Sequence, residues 1–389
     1  MSIHIDDALQ AYKRCFDSTP TIAARAPGRV NIIGEHTDYN DGFVLPMAIE
    51  HDTLILGVPR QDQVLNMRAE TLGRSARLRA DVPARSAQEP WTDYVSGVIA
   101  ELQKLGYPVS GADLLIVGDV PVGCGLSSSA ALEMAVLAFF EKAGGFQMQG
   151  PDAARLGQRV ENDFLGLSTG IMDQFISRCG RLGHALFLDC RSYDYTLVPV
   201  AFKDALFVIA NTACPRGLTA SKYNERVSEC TAAVEALKHA KDKGNKLRDY
   251  TLADLEGVRH AMDPLHFRRA RHVITENART LDAKAAMESG GLEQLGTLMT
   301  ASDISLKEDY EVTSPELDVL TAIARSLPGC YGARMTGAGF GGCTINLVAK
   351  NAAESFSAQL LEGYKKETGR TGEVYISAPA DGAGAFFLS

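Results

Sequence analysis

The sequence lacks any stretch able to cross a bilayer: apolar runs such as 205–210 fall far short of the roughly 18 residues needed. Its first residues carry Asp6 and Asp7 where a secretory leader would carry basic residues before an apolar run. A cytoplasmic protein is therefore expected. Positive charge is also in short supply, with 39 Lys+Arg against 48 Asp+Glu and a net charge of −9. That balance argues against nucleic-acid or anionic-membrane partners, whose phosphates need clustered cations. Eight cysteines at 15, 124, 179, 190, 214, 230, 330 and 343 contain no C-x-x-C pair. Neither a zinc knuckle nor a disulfide framework is read from them, and reduced thiols are expected. Internal repeats, low-complexity tracts and long charge blocks are absent too. What remains is ordinary for a soluble globular chain of 389 residues, 46% apolar and 22% charged, and its length predicts two or three domains.

One feature of the composition is uneven. Glycine totals 36, and six of them fall between Gly329 and Gly342, while Gly123 and Gly125 flank a run of serines. Clumped glycine marks backbone that turns tightly or approaches a ligand closely. Around these clumps the pattern predicts strands over 21–26, 43–45, 53–58, 114–117, 185–188 and 206–209, with a loop over 211–219. Helices are predicted over 127–142 and 152–165, the second with Leu156, Val160 and Phe164 as its apolar stripe. Residues 220–306 read as mainly helical with a polar break at 241–250. The tail is mixed, with strands over 332–336, 344–348 and 373–377 around a helix over 352–368. Strand-rich start, helix-rich middle and mixed end predict an α+β protein of two lobes, 1–205 and 206–389.

Three glycine-bearing segments carry chemistry. Residues 121–130 (PVGCGLSSSA) lie between a predicted strand and a predicted helix. Gly123 and Gly125 let backbone N–H groups converge, and the hydroxyls of Ser127, Ser128 and Ser129 sit where a helix dipole favours an anion. Without a lysine this is no Walker loop, and a serine-capped helix is the plainer alternative. Residues 336–342 (TGAGFGG) match G-x-G-x-x-G literally, but a β-rich stretch follows where a dinucleotide fold needs a helix. That loop reads instead as backbone packed against another lobe or a ligand, or as a tight hairpin. The third segment, 26–42, gathers Arg29, Glu35, His36 and Asp38 beside glycines. Its spacing fits no standard zinc pattern, and Gly42 and Phe43 stand where a calcium loop needs a ligand and a glycine. Carboxylates in a turn suit a polyhydroxylated ligand, since they accept hydrogen bonds from its hydroxyls.

Together the three segments resemble the motifs of the kinases of galactose, homoserine, mevalonate and phosphomevalonate. Residues 28–42 (GRVNIIGEHTDYNDG) look like the galactokinase signature within that superfamily. Residues 121–130 resemble its ATP loop and 336–343 its third motif. The likeness continues through GIMDQ (170–174), SKYNER (221–226), RHVITENAR (271–279) and PADGAG (379–384), so it spans essentially the whole chain.

The resemblance implies a two-lobed kinase with its active site in the cleft, phosphorylating galactose at O1 from ATP with Mg²⁺, as a monomer. It implies Asp173 as the carboxylate near the C1 hydroxyl and Arg29 facing it. Glu35, His36, Thr37, Asp38 and Tyr223 would contact the sugar. Gly123, Cys124, Gly125, Leu126, Ser127, Ser128 and Ser129 would hold ATP, and Ser129 with Glu161 the magnesium. Taken singly these residues read more plainly: Asp173 as a helix cap, Arg29 as an ion-pair arginine, Glu161 as a solvated helix glutamate, Tyr223 as a half-buried aromatic. Two other functions share the motifs, a kinase for N-acetylgalactosamine or arabinose and a non-catalytic sugar sensor. The basic stretch Arg268, Arg269 and Arg271 reads as a solvated helix face.

Overall fold

The computed structural model describes residues 3–214 and 219–388. The loop expected over 211–219 therefore lies partly outside the described residues. In chain order the strands are β1 (Ile22–Asn31), β2 (Phe43–Val44), β3 (Pro46–Pro59), β4 (Val64–Ala69), β5 (Arg74–Arg79), β6 (Ala112–Gly118), β7 (His184–Asp189), β8 (Tyr195–Pro199), β9 (Ala205–Asn211), β10 (Cys330–Thr336), β11 (Cys343–Ala349), β12 (Glu373–Ile376) and β13 (Gly384–Phe387). The α-helices are α1 (Ile5–Phe16), α2 (Thr92–Lys104), α3 (Ser128–Gly144), α4 (Gly150–Arg159), α5 (Met172–Cys179), α6 (Thr219–Ala240), α7 (Leu252–Gly257), α8 (Pro264–Ser289), α9 (Leu292–Ser305), α10 (Pro315–Ser326) and α11 (Ala353–Thr368).

Alternation along the strands builds the first layer. In β1, Ile22, Ala24 and Ala26 enter the core under α2 and α3, while Ala23 enters the one under α1. The six-stranded sheet β13-β1-β3-β6-β4-β5 is thus sandwiched, with only the β4–β6 pair parallel. A second, antiparallel sheet, β10-β11-β9-β12, carries the other lobe, and β2-β7-β8 forms a small third one. The lobes are not separate bodies. Val30, Ile32 and Met47 pack in one continuous core with Phe207, Ile345, Met287 and Met299. The final strand, β13, also returns to pair with β1.

Three departures from the sequence pattern bear on the site. The strand predicted over 21–26 runs further: β1 continues to Asn31, with a bulge between Pro27 and Arg29, and the chain turns only beyond it. The predicted helix over 152–165 stops as an α-helix at Arg159 and continues as a π turn, Val160–Phe164. Finally, Arg269 is not solvated but 1% exposed. Its guanidinium meets Glu229 at 2.8 Å, Glu311 at 2.7 Å and the Asp309 carbonyl at 2.6 Å. Arg268 likewise pairs with Glu311, and Arg271 with Asp309. Carboxylates from α6 and from the segment after α9 lie over this face of α8, a tertiary arrangement with no local trace.

Close backbone contact holds α9 to β10, the strand that leads into the third glycine segment. A Cβ on Gly296 would stand 2.1 Å from the Tyr331 carbonyl oxygen, too close for any rotamer to relieve. Gly296→Ala is expected to destabilise the protein by about 1–3 kcal/mol, read as a lower midpoint in urea unfolding. An unchanged midpoint would contradict this packing.

Candidate active site

Just past the β1 bulge, Arg29 pairs with Ala48 of β3 and its side chain lines the cleft. There the backbone of β1 abuts the serine-glycine loop, with Arg29 N–H donating to the Leu126 carbonyl at 3.0 Å. A Cβ on Gly28 would lie 2.6 Å from that same carbonyl oxygen, so only glycine admits the approach. The Arg29 guanidinium is 4% exposed. Its Nε and Nη2 each donate to Asp173 at 2.7 Å, a forked pair, and Nη1 donates to the Gly125 carbonyl at 2.5 Å. Burial opposes the Arg29 charge, but Asp173, Glu35 and Asp38 around it outweigh burial and hold it protonated.

Asp173 lies in the first turn of α5, and its carboxylate also accepts from the Ser127 hydroxyl. Ser127 sits at φ +60° and is preceded by Gly123 at +75° and Gly125 at +85°. These left-handed residues fold loop 121–127 back over the start of α3, where Ser128 and Ser129 occupy the first turn. Cys124 is buried and its thiol donates to the Pro121 carbonyl at 2.9 Å, a packing role within the loop. Ser129 Oγ donates to Glu161 Oε1 at 3.3 Å. Glu161 is 7% exposed rather than solvated: it continues the face of the buried Ala154 and Gly157, which packs within the first lobe. Burial raises its carboxyl, and Asp173 adds to that effect.

Beside this junction lies a cavity of about 290 Å³, lined by Arg29, Glu35, His36, Asp38, Asp173 and Tyr223 among others. Predicted residues from three segments, 26–42 and those bearing Asp173 and Tyr223, thus converge here. Glu35 is fully enclosed; its carboxylate accepts from Asn31 Nδ2 at 2.8 Å and from the Gly337 N–H at 2.6 Å, with Arg334 3.5 Å away. Burial raises this carboxyl, and Arg334 and Arg29 oppose the rise. Asp38 is pushed up to about 7, by burial and then by the nearby Asp173. Its oxygens lie so close to Gly170 that a Cβ there would be 1.7 Å away.

His36 is neutral, with burial and then His272 driving it down to about 3. Its Nε2–H donates to the Ala338 carbonyl at 3.2 Å, so Nδ1 must accept from the Tyr39 hydroxyl at 2.9 Å. Donors then run in one direction: Tyr310 to Tyr39 at 2.6 Å, and Cys230 to Tyr310 at 3.1 Å. Tyr223 completes the wall, its ring 5.5 Å from that of His36, and burial keeps its phenol protonated. Thr37 is not brought to the cavity. Its hydroxyl is bound to the Gly34 and Phe43 carbonyls at 2.9 and 2.7 Å, where it clasps the loop from behind.

A second cavity, about 230 Å³ and mostly apolar, opens beside Ser128 and Ser129. Leu72, Trp91, Tyr94, Ile116, Val120 and Val122 contribute to it. Sequence reasoning missed it. These residues come from strands, a loop and a helix spread over the first third of the chain, and only Trp91, the sole tryptophan, stands out in the sequence.

Comparison with known proteins fits this geometry. Residues 10–59 match the family model described as the galactokinase galactose-binding signature, 93–181 the GHMP kinase N-terminal domain and 283–366 the GHMP kinase C-terminal domain. A galactokinase from Roseiflexus sp. (strain RS-1) is 44% identical over 376 residues, covering 96% of this chain and 95% of the relative. The chain belongs to the galactokinase family. A second galactokinase, from Chloroflexus aurantiacus, is 41% identical over 97% of both chains. The crystal structure of Lactococcus lactis galactokinase complexed with galactose superposes with a TM-score of 0.94 at 37% identity, covering 97% of this chain and 99% of that one. Methanococcus jannaschii mevalonate kinase, at 20% identity and a TM-score of 0.66, shares the fold.

The two-lobed α+β architecture expected from the galactokinase motifs is thus the observed one. The third motif behaves as its β-rich sequel predicted, since Gly337 to Gly342 lead into β11 and bring backbone against Glu35 and His36.

The Asp38 carboxyl gives a pH signature. Its folded value, about 7, exceeds the ordinary 3.8, so the folded protein holds this proton more tightly than the unfolded chain. The resulting stability is complete below about 3.8 and is lost as the pH climbs through about 7. Asp38→Asn cannot lose it. Thermal melts of the ligand-free protein should show the variant gaining on the native chain between pH 5 and pH 8; a constant difference would contradict the raised carboxyl.

Proposed function

We propose that this chain transfers the γ-phosphoryl group of ATP to the anomeric O1 hydroxyl of galactose, with Asp173 as the base. The observation that carries the reading is the junction of Arg29, Asp173 and Ser127, which lies where the carboxylate-lined cavity meets the glycine-serine loop. A sugar is neutral and rich in hydroxyl donors, and Glu35 and Asp38 offer acceptors to it. Tyr223, with its phenol protonated, has a hydroxyl to give.

Loop 121–129 and the start of α3 suit the phosphates, and the apolar cavity with Trp91 suits a nucleobase. Asp173 takes the O1 proton, the oxygen attacks Pγ, and the bond from Pγ to the bridging oxygen breaks to release ADP. Phosphoryl transfer asks for positioning and charge stabilisation rather than covalent help. Arg29 serves both ends, orienting Asp173 through its fork and presenting positive charge beside the transferring group.

Magnesium fits the residues present. Ser129 and Glu161 supply hydroxyl and carboxylate oxygens, the donor type a hard cation prefers, and a divalent ion would offset the burial that raises Glu161. When bound, it supplies charge neutralisation on the β- and γ-phosphates. Among the described residues no helix is long and apolar enough to cross a membrane. We place the reaction in the cytoplasm, which suits eight cysteines that form no disulfide. The cleft is complete within one chain, in keeping with a monomer. The change of sheet near residue 205 supports dividing the chain there, with β13 lent back to the first lobe.

Asp173→Asn is expected to lower kcat by several orders of magnitude while ATP still binds, followed through the fluorescence of Trp91. Near-native kcat would sink the base assignment. Acceptor choice is read by ADP release over a panel of galactose, N-acetylgalactosamine and arabinose. Galactose should lead it; negligible turnover on galactose beside good turnover on another sugar would overturn the substrate.

A further inference from the structure

We infer that Glu276, in the middle of α8, is a positioning residue that sets the direction of the Glu35 carboxylate and thereby the affinity for sugar. The inference rests on the reading of Glu35 as a sugar contact. Glu276 itself does not line the cavity and is fully buried. Its Oε1 accepts from the N–H groups of Gly34 and Glu35 at 3.0 and 3.3 Å, and from the Ser302 hydroxyl at 2.6 Å. Oε2 accepts from Arg279 Nε at 2.7 Å.

Two successive N–H groups aimed at one oxygen form a small anion nest, made possible here by Gly34 at φ +96°. No other residue fits at Gly34, where a Cβ would lie 2.6 Å from the Phe43 carbonyl oxygen. Burial favours the neutral acid at Glu276, but Arg279, His272 and Arg334 outweigh it and hold the group at about 2, ionised.

The peptide on the other side of Glu35 is held by the same helix. One turn before Glu276, His272 Nε2–H donates to the Glu35 carbonyl at 3.1 Å, and its Nδ1 accepts from Ser305 at 2.9 Å. One residue after it, Asn277 Oδ1 accepts from the Phe43 N–H at 2.9 Å, closing the far end of the loop. With both flanking peptides fixed, the Cα–Cβ bond of Glu35 has one direction. Asn31 and Gly337 then need only finish the alignment of the carboxylate. A side chain in the second lobe thus aims a sugar contact in the first.

Three variants test this by steady-state kinetics, with folding checked by thermal melts. Glu276→Leu removes the acceptor and should raise galactose KM about tenfold or more, with kcat and ATP KM within about threefold. Glu276→Gln keeps an oxygen for Gly34 and Glu35 and should recover most of that loss. His272→Phe removes the donor on the other peptide and should repeat the galactose-selective rise, which keeps the test open if the leucine variant does not fold. Ala286→Gly serves as control: it weakens the same helix without removing a hydrogen bond to the peptides around Glu35 and should lower Tm with galactose KM unchanged.

The inference is overturned if the folded Glu276 and His272 variants keep native galactose KM. It also fails if Glu276→Gln is as impaired as Glu276→Leu, or if Ala286→Gly raises galactose KM equally. Glu35→Gln separates the two levels. If it leaves galactose KM unchanged, the reading of the sugar site is what fails; if it raises KM while the α8 variants do not, only the positioning role fails.

Discussion

The guanidinium of Arg29 is buried and committed to three acceptors on two different elements, both oxygens of Asp173 and the carbonyl of Gly125. A buried cation without partners would be costly, so each of these acceptors is held where Arg29 needs it. That requirement ties together the β1 bulge, the glycine-serine loop and the start of α5. The fit is tight enough that Gly28 has no room for a side chain. The carboxylate-lined cavity and the glycine-serine loop meet at this one pair, and the rest of the cleft is arranged around it.

Electrostatics inside the cleft differ from those of the whole molecule. The chain is acidic overall, with a net charge of −9, yet one of its proposed ligands is a polyanion. Local groups resolve this: Arg29, backbone N–H groups of the loop and the start of α3 supply positive potential on that side of the cleft. The cavity side is the reverse, with Glu35, Asp38 and Asp173 crowded around one arginine. Burial, and then repulsion from Asp173, raise the Asp38 carboxyl to about 7, and burial keeps His36 uncharged beside them.

Chemistry concentrated in short contiguous segments was legible in the sequence, because its residues are neighbours along the chain. Arg29, Glu35, His36 and Asp38 were readable in this way, as was the serine run at 127–129, and the strand after Gly342 correctly excluded a dinucleotide fold. Residues enclosed by segments distant in the chain were not. Glu161 flanks the apolar stripe of its helix and reads as a solvated position, and only the packing of neighbouring elements over that face buries it. Thr37 sits within the polar run but clasps its loop from behind. Arg269 reads as exposed by pattern and is enclosed by Glu229 and Glu311, which are 40 and 42 residues away in the chain. The apolar cavity beside Ser128 escaped notice altogether, its lining being dispersed over several elements.

The sequence by itself determined the α+β class, the family motifs and the residue types available for catalysis, since each is written in local pattern and contiguous spacing. Tertiary structure alone decided how those residues face one another. It joined β1 to α5 through Arg29, covered Glu161 and folded the second lobe's α8 onto the peptides around Glu35. The physical reason is that hydrogen bonds and ion pairs act over a few ångströms of space whatever the separation in sequence. A carboxylate at 276 and an amide at 35 become partners only when the core that spans both lobes has closed.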